Sequence, residues 1–192
     1  MHIDLLWKEI APQNKQVKIY EIYLMTPAQS IAIFSAVLLL SACSHTASYS
    51  YKYVSGKTAT IKDKKALIPE SAPNAVQHAV NAGNRINGKP YIYGGGHRKI
   101  EDKGYDCSGT VSYVLYHAGL LDAPAASDEF RSFGKKGKGD WITIYAKRGH
   151  VFMVVAGLRL DTGYHNSGRD GPKWSTAPRP AKGYVMRHPE GL

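Results

Sequence analysis

Asp106-Cys107-Ser108-Gly109, running straight into the apolar-periodic segment Val111 to Ala118, is the stretch that decides the fold. The spacing predicts a helix that buries Val111, Val114, Leu115 and Ala118 on one face and stops at Gly119, a residue type suited to the position just past a helix end. Cys107 then sits in the first turn, where unpaired backbone N–H groups carry partial positive charge and favour a thiolate over a thiol. A cysteine so placed points to nucleophilic chemistry and to a cysteine hydrolase.

Working upstream, Pro90-Tyr91-Ile92-Tyr93-Gly94-Gly95-Gly96 passes from aromatic residues into three glycines, a pattern that lets backbone approach another segment closely. Tyr91 and Tyr93 also read as aromatic packing beside the nucleophile helix, Tyr93 more so. His97 to Gly104 is polar and reads as a loop. An earlier helix is expected with Ser71 as cap, Pro73 near its start, Val76, Ala79, Val80 and Ile86 at helical spacing, and Asn87-Gly88 at its end. Ser44 to about Pro69, rich in Ser, Thr, Tyr and Lys, reads as a flexible tether.

The second of the chain's two cysteines has a different context. Ile31 to Leu40 is an unbroken apolar run too short for a spanning helix, which needs about 20 apolar residues, and suited to the core of a signal peptide. Leu40-Ser41-Ala42-Cys43 resembles a bacterial lipobox, which implies lipidation of Cys43, cleavage before it, and anchoring of the mature chain to a membrane. Residue Ser44 is compatible with outer-membrane sorting by the same resemblance. The segment ahead of the apolar run mixes Lys8, Lys15 and Lys18 with Asp4, Glu9 and Glu21, so Met1 and Met25 both stand as starts. The expected organisation is a signal peptide over 1–42, a lipid-anchored tether over 43–70 and one small domain over 71–192. With both cysteines assigned, no intramolecular disulfide is expected.

Lysines and acids cancel in residues 1–42, so the whole formal charge of +10 belongs to the rest of the chain. That excess suits an anionic environment without choosing among lipids, wall polymers and nucleic acid. A nucleotide or nucleic-acid site is not indicated: the glycines at 94–96 lack the Gly-Lys-Ser/Thr of a phosphate loop, and no basic-aromatic stripe is present. Lys135-Lys136-Gly137-Lys138 reads as a solvated loop inside a loop-rich insert, Asp122 to Asp140.

Downstream, the pattern turns to short strands: Trp141 to Ala146, His150 to Ala156, Leu158 to Thr162 and Gly183 to His188. His150 opens the most apolar of them, VFMVVA, where a polar residue needs a reason. Assisting a cysteine is such a reason, since an imidazole can take up the thiol proton and return it to a leaving amine. A third group should accept a hydrogen bond from the imidazole's other nitrogen. If the chain turns at Gly157, odd positions pair with even ones, and Asp161 and His165 both fall on the face of His150. Asp161 is preferred and His165 is the alternative. A metal site built from Cys107, His150, Asp161 and His165 lacks any close ligand pair, and neither metal nor other cofactor is expected.

Taken in order, Tyr91-Ile92-Tyr93-Gly94-Gly95, Asp106-Cys107-Ser108-Gly109 and Gly149-His150-Val151 resemble the NlpC family of papain-like cell-wall cysteine peptidases, over roughly Ala72 to His188. The resemblance implies an α+β papain-like fold, a single small domain with the nucleophile helix packed on an antiparallel sheet. It also implies hydrolysis of peptide bonds in peptidoglycan stem peptides, with Cys107 as nucleophile, His150 as base, Asp161 as orienting group and Tyr91 helping to hold the oxyanion. An Asp in the third position departs from the family's usual His, Asn or Gln. The tail from Asn166 to Arg179 matches no family feature and reads as an ordered loop beside the cleft. Arg159, Arg169 and Arg179 could pair a stem-peptide carboxylate but read more simply as solvated surface residues. Acyl transfer or amidase chemistry on another envelope substrate, and a non-catalytic wall-binding lipoprotein, are the alternative functions.

Overall fold

The structure, a computed structural model, describes residues 48–163 and 170–192. Cys43, the apolar run before it, His165 and Arg169 lie outside the described residues. Thr46–Leu192 forms one compact unit.

Among the described residues, two α-helices are packed on an antiparallel sheet, the α+β arrangement expected. Helix α1 (Asn74–Ile86) buries Val76, Ala79, Val80 and Ile86 as the spacing predicts. Its start differs from expectation: Pro73 occupies the N-cap without a side-chain bond, while Ser71 Oγ donates instead to Gly56 O at 2.6 Å. Proline fixes its own φ and needs no donor there, so the helix can begin without the serine.

Helix α2 (Cys107–His117) starts at the cysteine. It is buried not on one face but all round from Ser108 to Leu115, because it is enclosed by α1 and the sheet. Its end follows the chemistry of a left-handed cap. Gly119 takes φ +70°, Gly119 N donates to Tyr116 O and Leu120 N donates to Leu115 O, satisfying the last carbonyls.

Among the described residues the sheet has six strands. In chain order they are β4 (Lys135–Lys136), β5 (Ile142–Lys147), β6 (His150–Val155), β7 (Leu158–Asp161), β8 (Lys173–Ser175) and β10 (Val185–His188), laid side by side as β4-β10-β5-β6-β7-β8. Outside it are β1 (Ser48–Tyr49), the hairpin β2 (Thr60–Lys62) and β3 (Lys65–Leu67), and β9 (Arg179–Pro180), which pairs with β1. The lysine pair read as loop is thus an edge strand, still exposed, and Lys135–Lys136 suits an edge that must resist further pairing.

Pairing fixes which side chains share a face. Val155 lies opposite Leu158 and Met153 opposite Leu160, joined by the two-residue turn Ala156-Gly157 with both φ positive (+46° and +76°). One face carries Ile144, Val151, Met153, Val155 and Leu160 into the main core with the helices. The other carries Tyr145, Phe152 and Val154 into a second cluster with Tyr49 and Ala181. Two covered faces explain why β6 reads as a continuous apolar run rather than an alternation.

The second cluster corrects the tether. From Ser48 onward the segment is built into the domain: Tyr49 is buried and donates from its hydroxyl to Gly157 O, Ala59 N donates to Ala156 O, and Asn84 both accepts from Ala66 N and donates to Ala66 O. A few tyrosines and alanines spaced through a polar stretch do this without any apolar periodicity.

Candidate active site

Asp106 prepares the start of α2. Its Oδ1 accepts from Gly109 N at 2.7 Å, occupying an otherwise unpaired donor of the first turn, and its Oδ2 accepts from Gly94 N at 2.9 Å. One carboxylate therefore ties the glycine loop to the helix that carries Cys107. His97 and Ser108 Oγ complete the group, at 3.1 and 3.2 Å from Oδ1. An aspartate just before a helix is an N-cap signal legible in sequence; nothing in the loop sequence marks His97.

Glycine lets the segments meet. A Cβ at Gly109 would run into Gly95 O, and one at Gly95 would run into Gly104 O, so backbone packs on backbone at both places. The close approach expected of Gly94-Gly95-Gly96 is this contact. Pro90 O accepts from Tyr105 N at 3.1 Å, which holds the half-buried Tyr91 next to the chain leading into α2.

Cys107 is a partly buried free thiol, and His150, first residue of β6, lies within its electrostatic reach. His150 Nε2 donates to Asp161 Oδ1 at 3.0 Å. With Nε2 committed to the carboxylate, Nδ1 is the nitrogen left for the sulfur. Asp161 reaches His150 by the parity of the β6–β7 hairpin: it follows Leu160, which lies opposite Met153, and so falls on the His150 face.

Asp161 is 1% exposed, and its other oxygen is held by two guanidinium groups. Arg159 Nη1 and Arg179 Nε each lie 3.3 Å from Oδ2. Arg159, two residues before Asp161 on β7 and on the same face, is itself only 3% exposed; Arg179 comes from β9 and is 25% exposed. Both correct the expectation of solvated surface arginines. Arg179 Nη2 also lies 3.3 Å from His150 Nε2. Since Nε2 donates to Asp161, that contact sets donor against donor, and the carboxylate between them offsets it.

Burial pushes His150 down, but its bond to Asp161, its interaction with Cys107 and the charges of both push it up further, to about 9 from an ordinary 6.5. The imidazole is therefore cationic at neutral pH. A folded-state value above the unfolded one stabilises the fold fully below pH 6.5, and that stabilisation is lost as pH rises through 9. The melting temperature should fall across this window, and His150→Gln should flatten the fall. An equal slope in the variant would contradict the assignment.

Two further side chains border the histidine. Tyr184 sits edge-on to His150 with ring centroids 6.2 Å apart, and Lys147 Nζ lies 4.7 Å over the Tyr184 ring. Burial raises Tyr184, partly offset by Arg179. Tyr93 is 91% exposed, which overturns its expected packing beside the helix: the turn into the glycines points it away. Among the described residues, no group of three or more His, Cys, Asp or Glu side chains is arranged to hold a metal ion.

Solved structures resemble the chain. It is similar to the peptidoglycan hydrolase RipB from Mycobacterium tuberculosis, at 22% identity and a TM-score of 0.44, with 59% of this chain and 64% of that one covered. It is similar also to a hypothetical invasion protein of Mycobacterium tuberculosis, at 19% identity and a TM-score of 0.41, covering 68% of this chain and 73% of that one. For the Resuscitation Promoting Factor Interacting protein RipA the values are 16% and 0.43, with 88% and 77% covered. The chain thus spans less than two thirds of the RipB structure. No family model matches the chain, and no curated protein sequence does.

Cys107, His150, Asp161 and Tyr91 are the residues whose chemistry was expected from the sequence. His150 and Asp161 are in direct contact, Cys107 opens α2, Tyr91 stands on the adjoining loop, and His165 lies outside the described residues. Not expected were the arginine pair on Asp161 and the Asp106 latch.

Proposed function

We propose that this chain is a cysteine endopeptidase that hydrolyses amide bonds in peptidoglycan stem peptides through a thioester. The observation that carries the reading is Cys107 at the start of α2 within electrostatic reach of His150, which is itself bonded to buried Asp161. The motif resemblance to wall peptidases supplies the substrate class. Cys107 Sγ attacks the carbonyl carbon, and the carbonyl oxygen becomes an oxyanion facing the backbone N–H at the start of α2 and the Tyr91 hydroxyl. Each such donor contributes about a hundredfold to a thousandfold in rate. As the tetrahedral adduct collapses, the C–N bond breaks and His150 gives its proton to the departing amine. Water, deprotonated by His150, then attacks the thioester; collapse expels the Cys107 thiolate beside the imidazolium and releases the acid, which loses its proton to solvent. Asp161 holds the imidazole in the tautomer that presents Nδ1 to sulfur.

The same proposal places the protein in the cell envelope, anchored through a lipidated Cys43, with residues 1–42 removed. Cys43→Ser should abolish incorporation of labelled fatty acid, and undiminished incorporation would remove the anchor.

Purified muropeptides incubated with the 46–192 domain and its Cys107→Ala form, followed by mass spectrometry, test the chemistry. Products gaining one water are expected from the first and none from the second. Cleavage by both would exclude Cys107 as nucleophile; cleavage by neither, with both folded, would overturn the peptidase reading.

A further inference from the structure

Nine large apolar side chains are exposed among the described residues, and five of them, Tyr53, Val54, Ile61, Leu67 and Ile68, fall within residues 53–68. The other four are scattered over 92–185. Lys57, Lys62, Lys64 and Lys65 are exposed in the same stretch, with Lys52 just ahead of it and Asp63 as its one acid. No ion pair among the described residues engages any of these lysines.

This surface is held in a fixed shape. The β2–β3 hairpin pairs Thr60 with Leu67 and Lys62 with Lys65, which puts Leu67 and both lysines on one face, and pairs Ile61 with buried Ala66 on the other; it turns through Asp63 and Lys64 at φ +50° and +63°. Asn84 clamps Ala66 from α1, and Ser71 bonds back to Gly56. A structural explanation would need the aliphatic groups to be covered by the domain, and they are not. The chemistry fits a boundary between water and hydrocarbon: aliphatic groups and a tyrosine able to enter the headgroup region, and lysines of one sign for lipid phosphates.

We infer that residues 52–68 form a docking surface for an anionic lipid bilayer. Ser48 follows Cys43 by five residues, at most about 18 Å of extended chain, so an anchor there would bring this stretch to the bilayer. That last step rests on the anchor proposed above; the chemistry of the surface does not. An acidic protein partner is the less fitting occupant, because the lysines surround exposed aliphatic groups without presenting a groove.

The 46–192 domain, a compact unit lacking both the apolar run and Cys43, isolates the effect. Co-sedimentation would use phosphatidylcholine vesicles with and without equimolar phosphatidylglycerol. The domain should bind only the anionic vesicles and lose binding at high salt. Replacing Lys62, Lys64 and Lys65 together by Gln should weaken partitioning about fivefold per lysine, on the order of a hundredfold in all. Leu67→Ser should weaken it even at low salt. Muropeptide cleavage and thermal melting should be unchanged in both variants, separating this surface from the catalytic site and from misfolding. Equal partitioning of the domain and its triple Gln variant, or retention on purified wall sacculi but not on vesicles, would overturn the inference.

Discussion

Asp161→Asn should lower kcat/KM by about a thousandfold or more and destabilise the fold by about 3–5 kcal/mol. The two losses have separate origins in one side chain. Asp161 Oδ1 accepts from His150 Nε2, while Oδ2 faces Arg159 and Arg179. An amide has one acceptor and one donor end. With its oxygen toward His150, its NH2 group points into two guanidiniums; with its NH2 toward His150, the imidazole must put its proton on Nδ1, facing the sulfur, and can no longer take one from it. In either orientation the buried charge of Arg159 loses its counter-ion, and breaking one side of a buried pair costs far more than the pair contributes. Unfolding in urea and kcat/KM on a muropeptide read the two effects. Adding Arg159→Met should recover much of the stability by removing the stranded cation, and recover none of the activity. An Asn variant within a few-fold of the parent in both measurements would remove Asp161 from its role.

Asp161 was legible because a two-residue turn at Ala156-Gly157 fixes parity, and parity alone puts it on the His150 face. Cys107 was legible because residue type, helix periodicity and the helix start coincide. Arg159 could have been read from the same parity, two residues before Asp161 on one strand, but base rates for arginine argued for solvent. Those base rates fail because a carboxylate buried at 1% exposure needs cations near it. Arg179 is a different case: it reaches Asp161 from β9, which is fixed by pairing with β1, so its position depends on Ser48–Tyr49 far off in sequence. The tether misreading has the same cause. Tyr49 and Ala66 are buried by partners on β6, β7 and α1, and a polar stretch with isolated anchors shows no period. Local signals placed the elements, whereas long-range pairing decided which of their polar residues meet.

Gly109→Ala makes the backbone contact under the start of α2 measurable, because two physical effects predict opposite signs. Gly109 lies in the first turn of α2 at an ordinary helical φ, so helix propensity alone says alanine should stabilise by about 1 kcal/mol. Packing says the reverse. The new Cβ would run into Gly95 O, a backbone atom that no rotamer change can move. Gly95 cannot retreat, since it is packed in turn on Gly104 O, and the loop is tied to Asp106 through Gly94 N. Relief therefore requires α2 to shift as a unit, carrying Cys107 away from His150. Overpacking against side chains costs about 1–3 kcal/mol, and a backbone neighbour on each side sets this substitution at about 3 kcal/mol or more. Gly88→Ala serves as the comparison: its Cβ meets nothing within 4 Å, and its φ of +84° charges only left-handed strain, about 1–2 kcal/mol. Urea unfolding of the two variants should rank Gly109→Ala as the worse, with its Cys107 losing activity even where the protein remains folded. A stabilised Gly109→Ala protein would mean that the loop and helix do not touch there. The Asp106 latch and the placement of Cys107 against His150 would then need another cause.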